Sequence, residues 1–340
     1  MLIMPASCLY RNARWIFSQV KWSRRVRRNY RNNSRIWGAE YAKICRDCEI
    51  TKHKSDPVEK QLMYCNRKKE YILSFLINDL RLKEVATSTR TGNEDIKEIP
   101  KIIWVFWWDG FDTAPVLVKA CVASIQKAAG NAVDVVLLDR NNYSNYVQLP
   151  EDIIRKHDRG IIGHAHYSDI VRLSLLAKYG GLWMDATIFC SRLLPKDIWE
   201  YRFFTCKQDK EDPLVPSRMK WAGWLLGGVP GFPLFSFARD ALITFWQHCD
   251  SVIDYLLMDY VFELAYEQVA EVRQTIDQLP GNNVMRHELM KRINEPYRAE
   301  FFETGTYIYK LSYHYGKPRR FTNDGERTFY GFITQEIEKT

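Results

Sequence analysis

Charged residues stand on both sides of a double glycine in the segment SDIVRLSLLAKYGGLWMDAT (168–187). Asp169 and Arg172 begin an otherwise apolar helical pattern, and Asp185 follows the apolar residues LWM. A buried charge costs several kcal/mol unless it is paired or bound to a ligand. Because Asp169 and Arg172 are three positions apart, they share one face of the predicted helix. The pattern predicts either a pair that binds a charged ligand or a capping aspartate paired with its own arginine.

Asp185 stands at the carboxyl end of a predicted buried strand, where a carboxylate has little structural use. Its natural partners are a divalent cation or a ligand rich in hydroxyl groups. The preceding Gly180 and Gly181 predict a left-handed helix C-cap and a sharp turn into the strand. Ser168 and Asp169 are expected near the N-terminus of the helix, where free amides and the helix dipole favour anionic groups.

Strands and helices alternate around this segment, which predicts an α/β fold with a mostly parallel sheet and helices on both faces. In such sheets ligands bind at the carboxyl ends of the strands. A helical pattern over 56–85 and a polar, turn-rich linker over 87–98 precede the alternating part. The predicted strands are 101–108, 133–139, 180–189, 201–206, 223–228 and 306–314, and the predicted helices are 115–129, one that begins with 150–157, 166–179, 233–249 and 251–277.

The segments IPKIIWVFWW (99–108), LPEDI (149–153) and SDIVRLSLLAKYGGLWMDAT together resemble the capsular polysaccharide synthesis glycosyltransferases. These are related to the DxD-containing sugar transferases of glycosyltransferase family 32, which include yeast mannosyltransferases, and to clostridial toxin glucosyltransferase domains. The resemblance is strong over about 97–200 and looser over 201–320, and residues 1–95 lie outside it. It implies a GT-A (Rossmann-like) nucleotide-sugar domain over 96–340, preceded by a basic, helical extension over 1–95.

The resemblance also implies a nucleotide-diphosphate sugar as donor, a UDP-sugar first of all, together with Mn²⁺ or Mg²⁺. Asp169 and Arg172 would hold the donor through its ribose or sugar hydroxyls and its phosphates. Asp185 would be the first acid of the DxD motif and would bind metal and ribose, and these three residues form the expected catalytic group. Trp107 falls where the family places an aromatic residue that stacks on the nucleobase, a contact worth about 1–3 kcal/mol. Gly181 is placed in the same nucleotide-sugar site.

Thr187 stands where the DxD motif has its second acid, in the sequence Asp185-Ala186-Thr187. A hydroxyl is a weaker ligand than a carboxylate for a hard cation. Either one acid and the diphosphate suffice to hold the metal beside Thr187, or another side chain completes the site. The side chains considered for this role are Asp109, Asp259, Asn283 and His314. Asp109 is also placed in the nucleotide-sugar site, and it equally suits a simple turn with Gly110.

The expected function is a metal-assisted, retaining transfer of a sugar to a growing bacterial surface polysaccharide (capsule, exopolysaccharide or lipopolysaccharide), with a glycan or lipid-linked acceptor. The charge of a diphosphate leaving group must be neutralised as the glycosidic bond breaks, and a divalent ion with an arginine does this without a proton. The alternative is a catalytically inactive sugar-nucleotide-binding partner in a polysaccharide assembly complex, which Thr187 motivates.

The formal net charge of +8 belongs to the N-terminal arm. Residues 1–48 contain eleven Lys and Arg against two acids, whereas the rest of the chain is near neutral. Trp15, Phe17 and Trp22 are mixed with these basic residues. This composition favours a helix lying on an anionic membrane surface. A solvated basic helix folded onto the main domain is the plain alternative, and binding to nucleic acid is the least favoured one.

The compartment is expected to be reducing, because the eight cysteines are scattered and predict no disulfide framework. Cys45 and Cys48 have the spacing of a zinc knuckle but no second close pair. No apolar run reaches the length of a membrane span, so no transmembrane helix is expected. The predicted location is cytoplasmic, with peripheral contact at the inner face of the plasma membrane through residues 1–48.

Overall fold

A computed structural model describes residues 6–82, 98–314, 316 and 318–335, with side chains described from residue 21 onward. Most of the expected linker over 87–98 lies outside these residues. The helices are α1 Ala6–Trp37, α2 Ala39–His53, α3 Val58–Ser74, α4 Val116–Ala129, α5 Glu151–Asp158, α6 His164–Tyr179, α7 Pro233–His248, α8 Leu257–Gln268, α9 Ala270–Gln278, α10 Glu288–Lys291 and α11 Phe329–Ile333, and a π-helical turn Phe75–Asp79 extends α3. The strands are β1 Ile102–Phe106, β2 Asp134–Leu138, β3 Gly181–Met184, β4 Ile188–Cys190, β5 Phe203–Thr205, β6 Leu225–Gly228 and β7 Ile308–Lys310.

The main sheet is mixed and has five strands in the order β2-β1-β3-β6-β5. Strand β1 pairs in parallel with β2 and with β3, as the sequence predicts. The expectation of a mostly parallel sheet is wrong on the other side, where β6 runs antiparallel to both β3 and β5. The segment 206–224 between β5 and β6 contains no helix. The connection is long enough for a parallel crossover but contains no helix to cross a face of the sheet, and β6 lies beside β5 as its antiparallel neighbour.

Alternate residues of the central strands point to opposite faces of the sheet, and each face is covered by helices. Trp104 and Trp183 lie on one face and belong to the large core cluster with residues of α6, α7 and α8. Ile103, Leu182 and Met184 lie on the other face and pack with residues of α4. Both faces are therefore buried, which explains why the sequences of β1 and β3 read as continuous apolar runs.

The N-terminal helices α2 and α3 share the core of the sheet. Tyr41, Ile72 and Leu76 are fully buried in the same cluster as Trp104. The hydroxyl of Tyr41 donates a hydrogen bond of 2.7 Å to the carbonyl oxygen of Ile253. Helix α1 packs along α2, with Trp22 stacked on His53 at 3.8 Å between ring centroids. The domain boundary expected at residue 95 falls within 83–97, outside the described residues, and stays a prediction.

Two predicted elements are each divided in two. The strand expected over 180–189 consists of β3 in the main sheet and β4 in a second, two-stranded sheet with β7. Between them the chain turns, and the amide of Ile188 donates to the carbonyl oxygen of Asp185 at 2.9 Å. The helix expected over 251–277 begins at Leu257 and is broken at Val269, whose backbone is extended. Asp185 and Thr187 consequently lie in a turn that joins two sheets.

Among the described residues, no helix combines the length and the apolar character that crossing a bilayer demands.

The double glycine is required by the backbone of this structure. Gly181 has a φ of +88°, and a Cβ atom there would lie 2.7 Å from the carbonyl oxygen of Ile102. We expect Gly181→Ala to lower the free energy of unfolding by about 2–3 kcal/mol, since strain and a backbone clash add. Denaturant unfolding measures the loss. The matched control is Gly160→Ala, with a φ of +72° and nothing within 4 Å, which carries strain alone. Equal losses for the two variants would contradict this interpretation.

Candidate functional site

A cleft of about 620 Å³ with charged and aromatic lining residues opens at the carboxyl ends of β1 and β3. Its walls are the chain that follows β1, the first turns of α6, the turn after β3, the start of α8 and the chain that follows β7. Of the residues selected from the sequence, the cleft is lined by Trp107, Asp109, Asp169, Arg172, Asp185, Thr187, Asp259 and His314. Gly181 and Asn283 are not among its lining residues. The roles predicted for these residues remain predictions, but most of them do lie around one space.

Arg172 is a buried bridge between two carboxylates. One terminal nitrogen donates to the carbonyl oxygen of Gly223, and the other lies 3.3 Å from Asp169 Oδ1 and 3.2 Å from Asp185 Oδ1. Its guanidinium lies 4.9 Å from the centre of the Trp183 ring. Only 7% of the Arg172 side chain is exposed. Arg172 therefore holds the acid of α6 and the acid of the β3–β4 turn together in the wall of the cleft.

Asp169 does not cap its helix. Helix α6 begins at His164, so Asp169 lies in its second turn, and the expectation of a position at the N-terminus is wrong. Gly163 takes the N-cap position with an extended backbone, which starts the helix earlier than the apolar pattern indicated. The sequence analysis also considered that Asp169 pairs with Arg172, and this pair is present in the structure.

Asp185 is held by three donors. Trp183 Nε1 donates to its Oδ1 at 2.9 Å beside Arg172, and Lys310 Nζ donates to its Oδ2 at 2.7 Å. Burial alone would raise the pKa of Asp185, but Lys310 and Arg172 outweigh it, and the pKa lies below its ordinary value. Asp185 is therefore a carboxylate that faces the cleft with 26% of its side chain exposed.

Lys310 is the site residue that the sequence analysis missed. It lies at the end of β7, where it pairs in register with Ile188 of β4. Its Nζ donates to Thr187 Oγ1 at 2.6 Å as well as to Asp185. The signal that identified Asp185, a single charge in an apolar run, also applies to the lysine in TYIYKLSYH (306–314). No pattern in the sequence predicts that β4 pairs with β7, and this pairing is what brings Lys310 next to Asp185.

The side chains expected to bind Mn²⁺ or Mg²⁺ do not fit a divalent cation in this arrangement. Such ions prefer several oxygen ligands, often carboxylates, and an ammonium group already joins Asp185 to Thr187. No group of three His, Cys, Asp or Glu side chains within the described ranges could hold a metal ion. The ring of His314 packs against Tyr313 at 3.8 Å between centroids.

The remaining candidates for the metal are engaged elsewhere. Asn283 Oδ1 accepts from the amides of Tyr307 and Ile308, which makes it a structural residue. Asp259 accepts a hydrogen bond of 2.8 Å from Trp221 Nε1. Asp109 is largely exposed, 3.5 Å from Arg140. None of them completes a second acidic ligand beside Asp185 in this structure.

Comparison with known proteins identifies the family. Residues 52–333 match the sequence profile of the capsular polysaccharide synthesis proteins. The chain belongs to this family. The prediction from the sequence is thereby confirmed, although the match begins well before residue 97, where the resemblance was expected to start.

The capsular polysaccharide synthesis protein also has named relatives among fungal glycosyltransferases. It is 34% identical over 139 residues to O-glycosyltransferase braB of Annulohypoxylon truncatum, which covers 38% of this chain and 31% of that protein. It is 30% identical over 108 residues to O-glycosyltransferase PaGT of Phomopsis amygdali, a match that covers 29% of this chain and 26% of that protein. Glycosyltransferase afumC of Aspergillus fumigatus is 25% identical over 153 residues, covering 43% and 36%. The matches thus span about a third of each relative.

Among solved structures, the PaToxG glycosyltransferase aligns with 63% of this chain and 91% of its own, at a TM-score of 0.34 and 15% identity.

The buried acid of α6 gives a testable pH dependence of stability. Burial raises the pKa of Asp169 from 3.8 to about 7, with Arg172 opposing this and Asp185 and Asp259 adding to it. The folded chain therefore keeps this proton to a higher pH than the unfolded chain. As the pH rises from 3.8 to about 7, ionisation of Asp169 lowers the free energy of unfolding more and more, and above about pH 7 the loss is constant. We therefore expect the Tm of Asp169→Asn to rise relative to wild type across that range.

Three other groups near Asp169 bear on this measurement. The Nδ1 atom of His166 lies 3.8 Å from Asp169 Oδ2. Burial raises the pKa of Asp259 to about 6, so it acts in the same direction. The pKa of Asp185 is lowered, so its contribution is lost as the pH falls and has the opposite sign. All three remain in Asp169→Asn, so the difference from the wild-type curve reports the ionisation of Asp169 together with its coupling to Asp185 and Asp259. With the exposed Asp134→Asn as control, a difference that stays constant with pH would refute the prediction.

Proposed function

We propose that this protein is a glycosyltransferase that moves a sugar from a nucleotide-diphosphate donor to an acceptor hydroxyl. The observation that carries the proposal is the convergence of Asp169, Arg172, Asp185 and Lys310 in one cleft at the carboxyl ends of β1 and β3. Membership of the capsular polysaccharide synthesis family and the names of the three relatives support it. We also propose that the domain is of the GT-A type, with the single reversed strand β6 in an otherwise parallel sheet.

The proposed reaction needs charge control more than a protein nucleophile. The bond between the anomeric carbon and the diphosphate oxygen breaks, and its electron pair leaves with the nucleoside diphosphate. The acceptor oxygen forms the new glycosidic bond, and its proton passes to the departing diphosphate oxygen. Charge develops on the leaving diphosphate, and fixed cations in the cleft stabilise it. We propose retention of the anomeric configuration, following the family resemblance.

The cleft offers complementary contacts for the other parts of a UDP-sugar. Trp107 lines the wall beside Tyr313, with 5.2 Å between the ring centroids, and offers a face for the nucleobase. Asp185, ionised and partly exposed, can accept hydrogen bonds from ribose or sugar hydroxyls. Asp169 faces the same space from α6. We propose that the base lies towards β1 and the diphosphate towards the β3–β4 turn and Lys310.

The proposed acceptor is a surface polysaccharide or its lipid-linked precursor. The basic arm supports a position at an anionic membrane surface, because Arg24, Arg28, Arg31 and Arg35 of α1 are exposed. Val26 of the same helix is buried against the protein, so α1 carries a protein-facing side and a basic side. Binding to vesicles with and without anionic lipid tests this part of the proposal independently of catalysis.

Incubation of the full chain with a panel of nucleotide sugars tests the central proposal. Release of the nucleoside diphosphate, with or without an added glycan, is the expected result, and one donor is expected to react faster than the others. Nucleotide binding without turnover of any donor would instead favour the inactive sugar-nucleotide-binding partner, which the single acid of the Asp185-Ala186-Thr187 sequence motivates. A chain that neither binds nor cleaves any member of the panel is not the proposed enzyme.

A further inference from the structure

Lys310 occupies the place that the sequence assigned to a divalent cation. Its Nζ lies 2.7 Å from Asp185 Oδ2 and 2.6 Å from Thr187 Oγ1. These are the two side chains of the DxD position, and an ammonium group satisfies both. The pairing of β7 with β4 fixes this arrangement, because Lys310 stands opposite Ile188 in the register of the two strands. The disagreement between the expected metal and the observed lysine therefore has a defined structural origin.

Lys310 is also better placed than Arg172 to meet a phosphate. Within the described part of the chain, Lys310 and Arg172 are the only lysine and arginine that line the cleft. The terminal nitrogens of Arg172 are directed at Gly223, Asp169 and Asp185, and its side chain is only 7% exposed. The Lys310 side chain is 23% exposed. An ammonium group has three N–H donors, and two acceptors are present among the described residues, so one donor remains for a ligand.

Asp185 and Thr187 then act on the lysine and not on a metal. Asp185 holds the ammonium close to the cleft, and Thr187 fixes its direction. The ring of Trp224 lies 6.0 Å from Nζ and closes one side. Lys310, Asp185 and Thr187 form a small built site in which the ammonium is paired with one carboxylate and keeps an N–H donor for a ligand, although its sequence signature is that of an acidic metal motif.

We propose that Lys310, positioned by Asp185 and Thr187, binds the diphosphate of the donor directly and supplies the positive charge that a divalent cation supplies in DxD transferases. This inference rests on the proposed function and deepens it. During transfer the electron pair of the broken anomeric C–O bond stays on the diphosphate oxygen, and the ammonium stabilises it without giving up its proton. Donor binding by this protein is therefore independent of divalent cations.

Calorimetric titration with UDP, once in EDTA and once with excess Mn²⁺, tests the inference on the full-length chain. Wild type is expected to bind UDP with the same Kd in both media. Lys310→Met is expected to bind about tenfold more weakly in EDTA, because a hydrogen bond between a cation and a phosphate is lost. Lys310→Arg, which keeps the charge, is expected to retain most of the affinity. Lys101→Met, at an exposed lysine outside the cleft, is the matched control.

The added metal gives a second readout that a structural role of Lys310 would not change. Without the ammonium, Asp185 and Thr187 are open to a cation, so Mn²⁺ is expected to strengthen UDP binding to Lys310→Met and not to wild type. The thermal unfolding of each variant, followed by circular dichroism, shows whether it is folded. Loss of wild-type binding in EDTA with recovery in Mn²⁺ overturns this inference and leaves the proposed function standing. Wild-type affinity in Lys310→Met overturns the inference as well. Absence of UDP binding in both media excludes UDP as the leaving group, and the titration is then made with the nucleoside diphosphate that the donor panel identifies. If the panel identifies none, the proposed function is overturned and the inference with it.

Discussion

Asp185→Asn is expected to reduce the rate of donor turnover by about 10²–10³, the loss typical of removing one preorganised electrostatic group. The amide keeps the size of the side chain but removes the charge that holds Lys310 and Arg172 in place. It also removes an acceptor that faces the cleft. Steady-state kinetics with the preferred donor measure the effect, and the loss is expected in kcat more than in KM, because the cation is needed most as the diphosphate leaves.

The same substitution elsewhere provides the control for Asp185. Asp134 is exposed at the start of β2, at the end of the sheet opposite the cleft, and Asp134→Asn is expected to keep wild-type turnover. If Asp185→Asn turns over donor as fast as Asp134→Asn, the assignment of Asp185 is wrong.

Arg172→Met is expected to lower the free energy of unfolding by about 3–5 kcal/mol, because it removes one partner from a buried group of charges. The arginine lies between Asp169 and Asp185, and its loss leaves Asp169 in a buried position without its counter-ion. The carbonyl oxygen of Gly223 also loses its donor. Denaturant unfolding well above pH 7 measures the difference, because Asp169, whose pKa is about 7, is then ionised in the folded wild type.

A second substitution separates the charge effect from the loss of packing. Arg172→Met combined with Asp169→Asn is expected to recover part of the lost stability, because the uncompensated carboxylate is gone. Arg239→Met, at a partly exposed arginine of α7 paired with Asp240, is the control and should change stability by no more than about 0.5 kcal/mol. A loss in Arg172→Met no greater than in this control would show that the buried network contributes little.

The sequence predicted the parts of this molecule that depend on local signals. The apolar runs of β1 and β3, the proline-initiated helices α4 and α5 and the double glycine at which β3 begins are all local patterns, and the structure contains each of them close to its expected position. Local signals indicated only that each of Asp169, Arg172 and Asp185 needs a partner, and the family resemblance implied that they share one site.

The parts that the sequence did not predict depend on contacts between distant segments. The direction of β6 follows from the missing crossover helix after β5, and the division of the strand at Asp185 follows from the pairing of β4 with β7. Lys310 is 125 positions from Asp185, and only that strand pairing brings them together. Periodicity and spacing describe one segment at a time and carry no information on such pairings.

Lys310 extends from β7 to Asp185. The alignment of β7 with β4 therefore decides whether an ammonium group lies beside this acid in the wall of the cleft. Side chains alternate along β7, so a slip of one residue against β4 would present Tyr309 or Leu311 in place of the lysine. The acidic turn would then face the cleft without its ammonium. Insertions or deletions in the stretch that leads into β7 are thus expected to abolish activity even when every polar residue of the cleft is intact.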